Sequence, residues 1–379
     1  MCRLPEVIAV DPDQPSSAAV ADARDAAVLD RLSLLDRFLP VWIGAAMVAG
    51  LLLGRLIPGV GEALEALKID TVSLPIAVGL LVMMYPPLAK VRYGELGRVA
   101  ADKRLLVTSL VLNWLVGPAL MFVLAWTFLP DLPEYRTGLI IVGLARCIAM
   151  VLIWNDLACG DTDAAAVLVA INSVFQILAY SLLGYFYLSV LPGWLGWEQQ
   201  TLDVSLWQIT QAVLVFLGIP LLAGFLTRTL GERRRGRAWY EGTFLPRLGP
   251  WALYGLLATV VMLFALQGDQ IIAKPLDVGR IALPLLVYFA VMFGVSFAVG
   301  RRIGLGYERN ATLAFTAAGN NFELAIAVAI GVFGATSGQA LAGVVGPLIE
   351  VPALVGLVYV SLWARRRWYG EPSGPGARR

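Results

Sequence analysis

Apolar residues in this chain come in long runs rather than alternating with polar ones. From about residue 38 onward, stretches of 18 to 28 mostly apolar residues recur near 38–57, 72–89, 105–129, 137–158, 163–190, 206–229, 248–267, 280–300, 310–333 and 338–363. Short polar loops separate them. A helix rising about 1.5 Å per residue crosses about 30 Å of hydrocarbon in each such run. The pattern predicts an all-α integral membrane protein of ten transmembrane helices, the fifth and tenth long enough to tilt or project. Residues 1–36 are a different material, with Asp11, Asp13, Asp22, Asp25, Asp30 and Asp36 among small residues and prolines. This reads as an acidic, disordered cytosolic tail without the basic start or cleavage site of a signal peptide. Its segment LDRLSLLDRF suits a short amphipathic helix on the membrane surface.

Composition narrows the classes. The 379 residues are 59% hydrophobic and 15% charged, against about 25% charged in a soluble domain. A net charge of +2 gives no basic footprint for a nucleic acid. Histidine is absent, which removes the usual metal ligand and the usual proton carrier near neutral pH. Cys2, Cys147 and Cys159 lack CxxC spacing, so neither a disulfide framework nor a structural zinc site is expected. No cofactor is implied.

Lysine and arginine set the orientation. They crowd the loops after the second run (Lys90, Arg92, Arg98, Lys103, Arg104), the sixth (Arg228, Arg233, Arg234, Arg235, Arg237, Arg247), the eighth (Arg301, Arg302, Arg309) and the tenth (Arg365, Arg366, Arg367). All four fall on one side. The other side has a scatter, chiefly Lys68, Arg136, Lys274 and Arg280. The expected topology is a multi-pass cell-membrane protein with both termini cytosolic. The loop CGDTD after the fourth run has no basic residue, which the rule does not explain.

The halves match weakly at steady offsets. Arg136 lies 173 residues before Arg309, and Gln176 and Tyr185 lie 174 before Glu350 and Tyr359. Repeating five spans inverts the second half, as in many secondary transporters. The expected division is 37–195 for the first five-helix repeat, 196–367 for the second, inverted one, and 368–379 for a cytosolic tail.

Two runs hold the chemistry. Arg146 and Cys147 sit near the middle of the fourth, where a central arginine costs roughly 2.5–3.5 kcal/mol unless it faces protein or water. Arg146 is also about ten residues from either end, too deep for easy snorkelling. In the ninth, Gly319-Asn320-Asn321 interrupts AFTAAGNNFELAIAVAI and Glu323 follows. Consecutive Gly-Asn-Asn is a poor helix interior, so a break is predicted there, tolerable in a membrane only inside protein or along a cavity. Glu350, between Pro347 and Pro352, is a second buried carboxylate, either a proton site or an acceptor for Arg146. Asn113, Asn172, Gln176, Trp126 and Trp154 are further candidates for a lined cavity. One thiol among amides and carboxylates suits a small, soft, neutral solute.

The segments GLARCIAMVLIWNDLACGD, AFTAAGNNFELAIAVAI and GPLIEVPALVGLVYVSLW resemble the arsenical-resistance arsenite permease family, within the bile acid, arsenite and riboflavin transporter superfamily. The resemblance runs over about residues 38 to 366. It implies two inverted five-helix repeats, broken fourth and ninth helices crossing near mid-membrane, and efflux of As(III), with Sb(III) in some members, against protons. The family's functional cysteine falls on Cys147, beside Arg146, and its functional glutamate on Glu323. Its other polar and aromatic positions match Asn113, Trp126, Trp154, Asn172, Phe315, Asn321 and Glu350. On this reading Cys147 meets the metalloid, Asn320 and Asn321 line the site, and Glu323 and Glu350 carry the proton. A sodium-coupled carrier of organic anions on the same fold is the alternative, with Asn320, Asn321 and Glu323 binding sodium. A distant one is a membrane prenyltransferase, because Asn155, Asp156, Asp161 and Asp163 approach a magnesium-binding pattern, although Cys159 stands where the middle aspartate belongs.

Overall fold

The computed structural model describes residues 38–57, 59–69, 72–91, 102–148, 150–197, 206–273 and 275–369. The acidic tail, the amphipathic segment within it, Cys2 and residues 370–379 lie outside the described residues. The chain forms helices α1 (Leu39–Leu56), α2 (Val60–Ala66), α3 (Leu74–Lys90), α4 (Lys103–Phe128), α5 (Pro133–Leu144), α6 (Met150–Leu157) and α7 (Thr162–Trp194). These are followed by α8 (Leu206–Arg235), α9 (Leu245–Ala273), α10 (Pro275–Arg302), α11 (Tyr307–Ala318), α12 (Phe322–Phe333) and α13 (Gly338–Tyr369). Between α2 and α3 a small antiparallel ribbon pairs Lys68 with Ser73 and Ile69 with Val72. Among the described residues six helical stretches are long and apolar enough to cross a membrane: α4, α7, α8, Arg237–Leu266, α10 and α13. The runs at 137–158 and 310–333 are each two short helices, α5 with α6 and α11 with α12.

The helices pack as two groups. In one, α9 lies along α1 and α3, and α8 along α3. In the other, α10 packs on α4, α11 and α13, α5 on α4 and α13, and α6, α7 and α11 on one another. The groups meet where α12 touches α8 and α3, α7 touches α8, and α13 touches α1. Polarity is distributed the reverse of a soluble protein. Leu115, Leu178, Leu182 and Leu222 are more than half exposed, whereas Arg146, Asn172, Gln176, Asn310 and Glu350 are buried. An apolar exterior over a polar interior is what hydrocarbon solvent demands, and the protein is a multi-pass membrane protein.

Proline shapes several spans. Five-residue π-helical turns at Leu112–Val116, Phe186–Val190, Leu214–Gly218 and Tyr240–Phe244 each end two residues before a proline: Pro118, Pro192, Pro220 and Pro246. Proline lacks the N–H for its own helical bond and its ring crowds the carbonyl four residues back. The wider turn absorbs both defects. Pro86, Pro87, Pro250, Pro284, Pro347 and Pro352 sit inside regular helix instead. Short polar caps fix helix starts: Asp102 accepts from Leu105 N at 3.2 Å, Asp161 from Ala164 N at 3.0 Å and Ser337 from Ala340 N at 3.2 Å. Each satisfies an amide that the first helical turn leaves open.

Candidate functional site

The two helix breaks lie against each other. After α5, Ala145 turns extended (φ −82, ψ 117), and after α11, Gly319 does the same (φ −73, ψ 142). The two strands run antiparallel and bridge at Arg146 and Asn320. Cys147 N donates to Gly319 O at 3.3 Å and Asn321 N donates to Ala145 O at 3.0 Å. Backbone groups that each break removes from its helix thus satisfy groups freed by the other, which is what allows non-helical chain at this depth. Glycine at 319 makes the approach possible, because a Cβ there would sit 3.0 Å from Cys147 Cβ and 3.6 Å from its Sγ.

Both strands feed directly into new helices. Asn321 caps α12, its Oδ1 accepting from Leu324 N at 3.0 Å. Cys147 stands in the same relation to α6, with Val151 N donating to Sγ at 3.3 Å. The buried thiol therefore faces the positive end of a helix dipole. Consecutive short polar residues explain the second break. The first has neither glycine nor proline at the gap, and its extended form rests on tertiary bonds, chiefly the bridge and Arg146 N donating to Gln176 Oε1.

Arg146 is wholly buried. Its Nη1 donates to Tyr288 Oη at 2.9 Å and its Nη2 to Gly143 O, while Nε has no partner. Space for the guanidinium comes from Gly117, where a Cβ would lie 2.7 Å from Nη1 and 3.0 Å from Tyr288 Oη. The expectation that Glu350 could serve as the acceptor for Arg146 is corrected. The guanidinium turns toward α4 and α10, whereas Glu350 on α13 lies close to Asn320 of the other strand and within electrostatic range of Glu323. Glu323 opens the first turn of α12 and keeps some accessibility, although every other residue from Phe322 to Ile330 is buried.

Unpartnered polar atoms gather here. Both side-chain heteroatoms of Asn320, Asn321 Nδ2, Glu350 Oε1, Gln176 Nε2 and Arg146 Nε are buried with no hydrogen-bond partner. Each such group costs about 1–3 kcal/mol if left so, which marks the crossing as a place for a polar ligand. The remaining candidates lie in other surroundings. Asn113 Nδ2 donates to Ser109 O at 2.8 Å and Asn172 Oδ1 accepts from Trp114 Nε1 at 3.1 Å. Phe315 packs on Phe293 with ring centroids 5.1 Å apart. Trp154 is buried on α6 with Nε1 unpartnered. Trp126 lies under the Arg136 guanidinium, 3.8 Å from the ring centre, far along α4 from Gly117. Sequence reasoning did not find Tyr288 or Gly117, and nothing in their local pattern marks them.

Asp156 near the end of α6 and Asp161 after it are occupied structurally. Asp156 accepts from Thr162 Oγ1 at 3.1 Å, and Asp161 caps α7 and pairs with Arg309 at 3.4 Å. Asn155 Oδ1 accepts from Thr312 at 2.7 Å. Among the described residues no three His, Cys, Asp or Glu side chains are placed to hold a metal ion.

A helical membrane bundle whose two broken helices meet in its interior has the architecture of a secondary transporter. Comparison with known proteins agrees. A family model described as the Sodium Bile acid symporter family matches residues 77–274. The chain is 59% identical over 350 residues to the arsenical-resistance protein Acr3 of Corynebacterium glutamicum, covering 92% of this chain and 95% of that protein. It is 35% identical over 348 residues to an uncharacterized transporter of Synechocystis, covering 87% and 88%. The arsenical-resistance protein Acr3 of Alkaliphilus metalliredigens is 31% identical over 350 residues, covering 90% and 95%. The chain belongs to the Sodium Bile acid symporter family, among its arsenical-resistance Acr3 relatives. It is a transporter and not an enzyme.

Proposed function

We propose that the protein expels trivalent arsenic from the cytosol in exchange for protons, using ten spans arranged as two inverted five-helix repeats. The observation that carries this reading is the bridge that sets the buried Cys147 thiol against Gly319 and Asn320, with Glu350 of α13 close to that strand and Glu323 in the first turn of α12. The name shared by two relatives, arsenical-resistance protein, supports the substrate. Antimonite, equally thiophilic, is a second substrate on this reading.

The repeat has chemical support beyond spacing. Gln176 accepts from Arg146 N, and the residues 174 positions further on, Glu350 and Asn320, lie close to each other in the second half. Cys147 and Asn321 are also 174 apart, and each side chain accepts an amide from the first turn of the next helix.

In the cycle, arsenous hydroxide reaches Cys147 from the cytosolic side. An As–S bond forms, an As–OH bond breaks, and the hydroxyl leaves with the thiol proton as water. Hydrolysis reverses the step on the outer side. Arg146 favours negative charge on the neighbouring sulfur by proximity. Glu323, with Glu350 nearby, takes a proton from outside, and its neutralisation favours return of the empty carrier. Rocking of the α1, α3, α8 and α9 group against the other moves access from one face to the other. Everted vesicles under a pH gradient test this: Cys147→Ala and Glu323→Gln should each abolish arsenite accumulation, and retained uptake removes that residue from the mechanism. Sodium-driven, pH-independent flux would favour the organic-anion reading, to which the family model's description lends weight.

A further inference from the structure

A groove outside the crossing carries a separate site. It has a volume of about 510 Å³ and lies between the end of α8 and the turn into α9. Ala223, Leu226, Leu230 and Arg234 succeed one another on one face of α8, at three- and four-residue spacing, and all line the groove. Leu226 and Leu230 are nearly half exposed. From Leu226 to Arg234 the stripe runs ~12 Å along the helix, apolar toward the membrane interior and basic at its end. The opposite wall is aromatic. Trp239 stacks on Phe244 with ring centroids 5.8 Å apart, and Tyr240 packs close over Gly231, where a Cβ would lie 2.7 Å from its ring.

The charges decide what the groove accepts. Nearby carboxylates are engaged: Glu232 pairs with Arg228 at 2.9 Å, and Glu241 with Arg228 at 2.7 Å and Arg237 at 3.1 Å. Among the described residues no carboxylate pairs with Arg234 or Arg235, and the Arg235 guanidinium lies over the Trp239 ring at 4.7 Å. An apolar channel ending in two uncompensated guanidiniums and an indole matches one occupant, a phospholipid with an anionic headgroup. Arginine binds phosphate through a planar fork, tryptophan anchors at the headgroup level, and the acyl chain takes the leucine stripe.

We infer that this groove is a binding site for an anionic phospholipid, with Arg234 and Arg235 on the phosphate and Leu226 and Leu230 along the chain. The site shares no residue with the crossing, so its failure would leave the transport reading intact. The test is native mass spectrometry of the full-length, detergent-purified protein, titrated with phosphatidylglycerol or with phosphatidylcholine of the same acyl chains. Phosphatidylglycerol should bind on the order of tenfold more tightly, since each basic residue near the surface favours anionic lipid. The double variant Arg234→Ala/Arg235→Ala should abolish that preference, while Arg366→Ala/Arg367→Ala, which removes the same charge from the end of α13, should keep it. Equal binding of the two lipids, equal loss in the α13 variant, or displacement by inorganic phosphate at the lipid's own concentration would each overturn the assignment.

Discussion

Gly117→Ala is a sensitive probe of how Arg146 is held. The glycine is helical, φ −59 and ψ −54, so alanine's intrinsic preference alone would stabilise by about 1 kcal/mol. Against that, the new Cβ would lie 2.7 Å from Arg146 Nη1 and 3.0 Å from Tyr288 Oη. Crowding of this kind costs about 1–3 kcal/mol, and pushing the guanidinium away breaks a hydrogen bond to a charged group, worth about 1.5–3 kcal/mol. The net expectation is destabilisation by roughly 2–4 kcal/mol. At roughly 2 °C per kcal/mol for a chain of this size, the thermal midpoint in detergent should fall by about 4–8 °C. Tyr288→Phe removes the accepting hydroxyl and one of the two crowding atoms, and should cost about 1.5–3 kcal/mol by itself. In that background Gly117→Ala has little left to break, so its further cost should shrink to about 1 kcal/mol or less. The assay is a double-mutant cycle read by intrinsic-fluorescence melting at a fixed scan rate, with arsenite uptake in vesicles in parallel. Additive losses would refute the claim that both residues act through one guanidinium.

Other tests address separate parts of the molecule. Gly346 lies directly under the Phe322 ring at the start of α12, so Gly346→Ala should cost about 1–3 kcal/mol, and Phe322→Leu should restore melting. On the surface, Arg280 holds the Asp131 carboxyl down to about 2 from an ordinary value of 3.8. The lowered value means this contribution is complete above about pH 4 and is lost as pH falls toward 2. Asp131→Asn should flatten melting against pH in that window only, and an unchanged slope would remove the pair from the acid response. Arg309 joins Asp102 at 2.9 Å and Asp161 at 3.4 Å, tying the starts of α11, α4 and α7 on the basic side. It is half exposed, so Arg309→Ala should change stability by less than about 1 kcal/mol, and a fall of several degrees in the melting midpoint would contradict that.

The sequence was legible where apolar length or helix-breaking chemistry speaks for itself. Each apolar run corresponds to a helix or a pair of short helices, and Gly319-Asn320-Asn321 marks a break that is present. The π-helical turns two residues upstream of four prolines were not anticipated. What stayed hidden depends on helix rotation. Spans apolar on nearly every face do not say which side meets which neighbour, so Tyr288 on α10 gave no hint of its bond to Arg146, and the break after Leu144 carried no glycine or proline. The same ambiguity let Glu350 be read as a partner for Arg146. Its residue number matched the repeat, but only the packing of α13 shows that it faces the Asn320 amide.

The most direct test of the account is arsenic K-edge X-ray absorption on purified protein loaded with arsenite. One sulfur and two oxygens around arsenic in the wild type, and three oxygens in Cys147→Ala with Glu350→Gln as a sulfur-retaining control, is the expected result. An arsenic environment unchanged by Cys147→Ala would contradict the claim that the crossing strands hold the metalloid on that thiol.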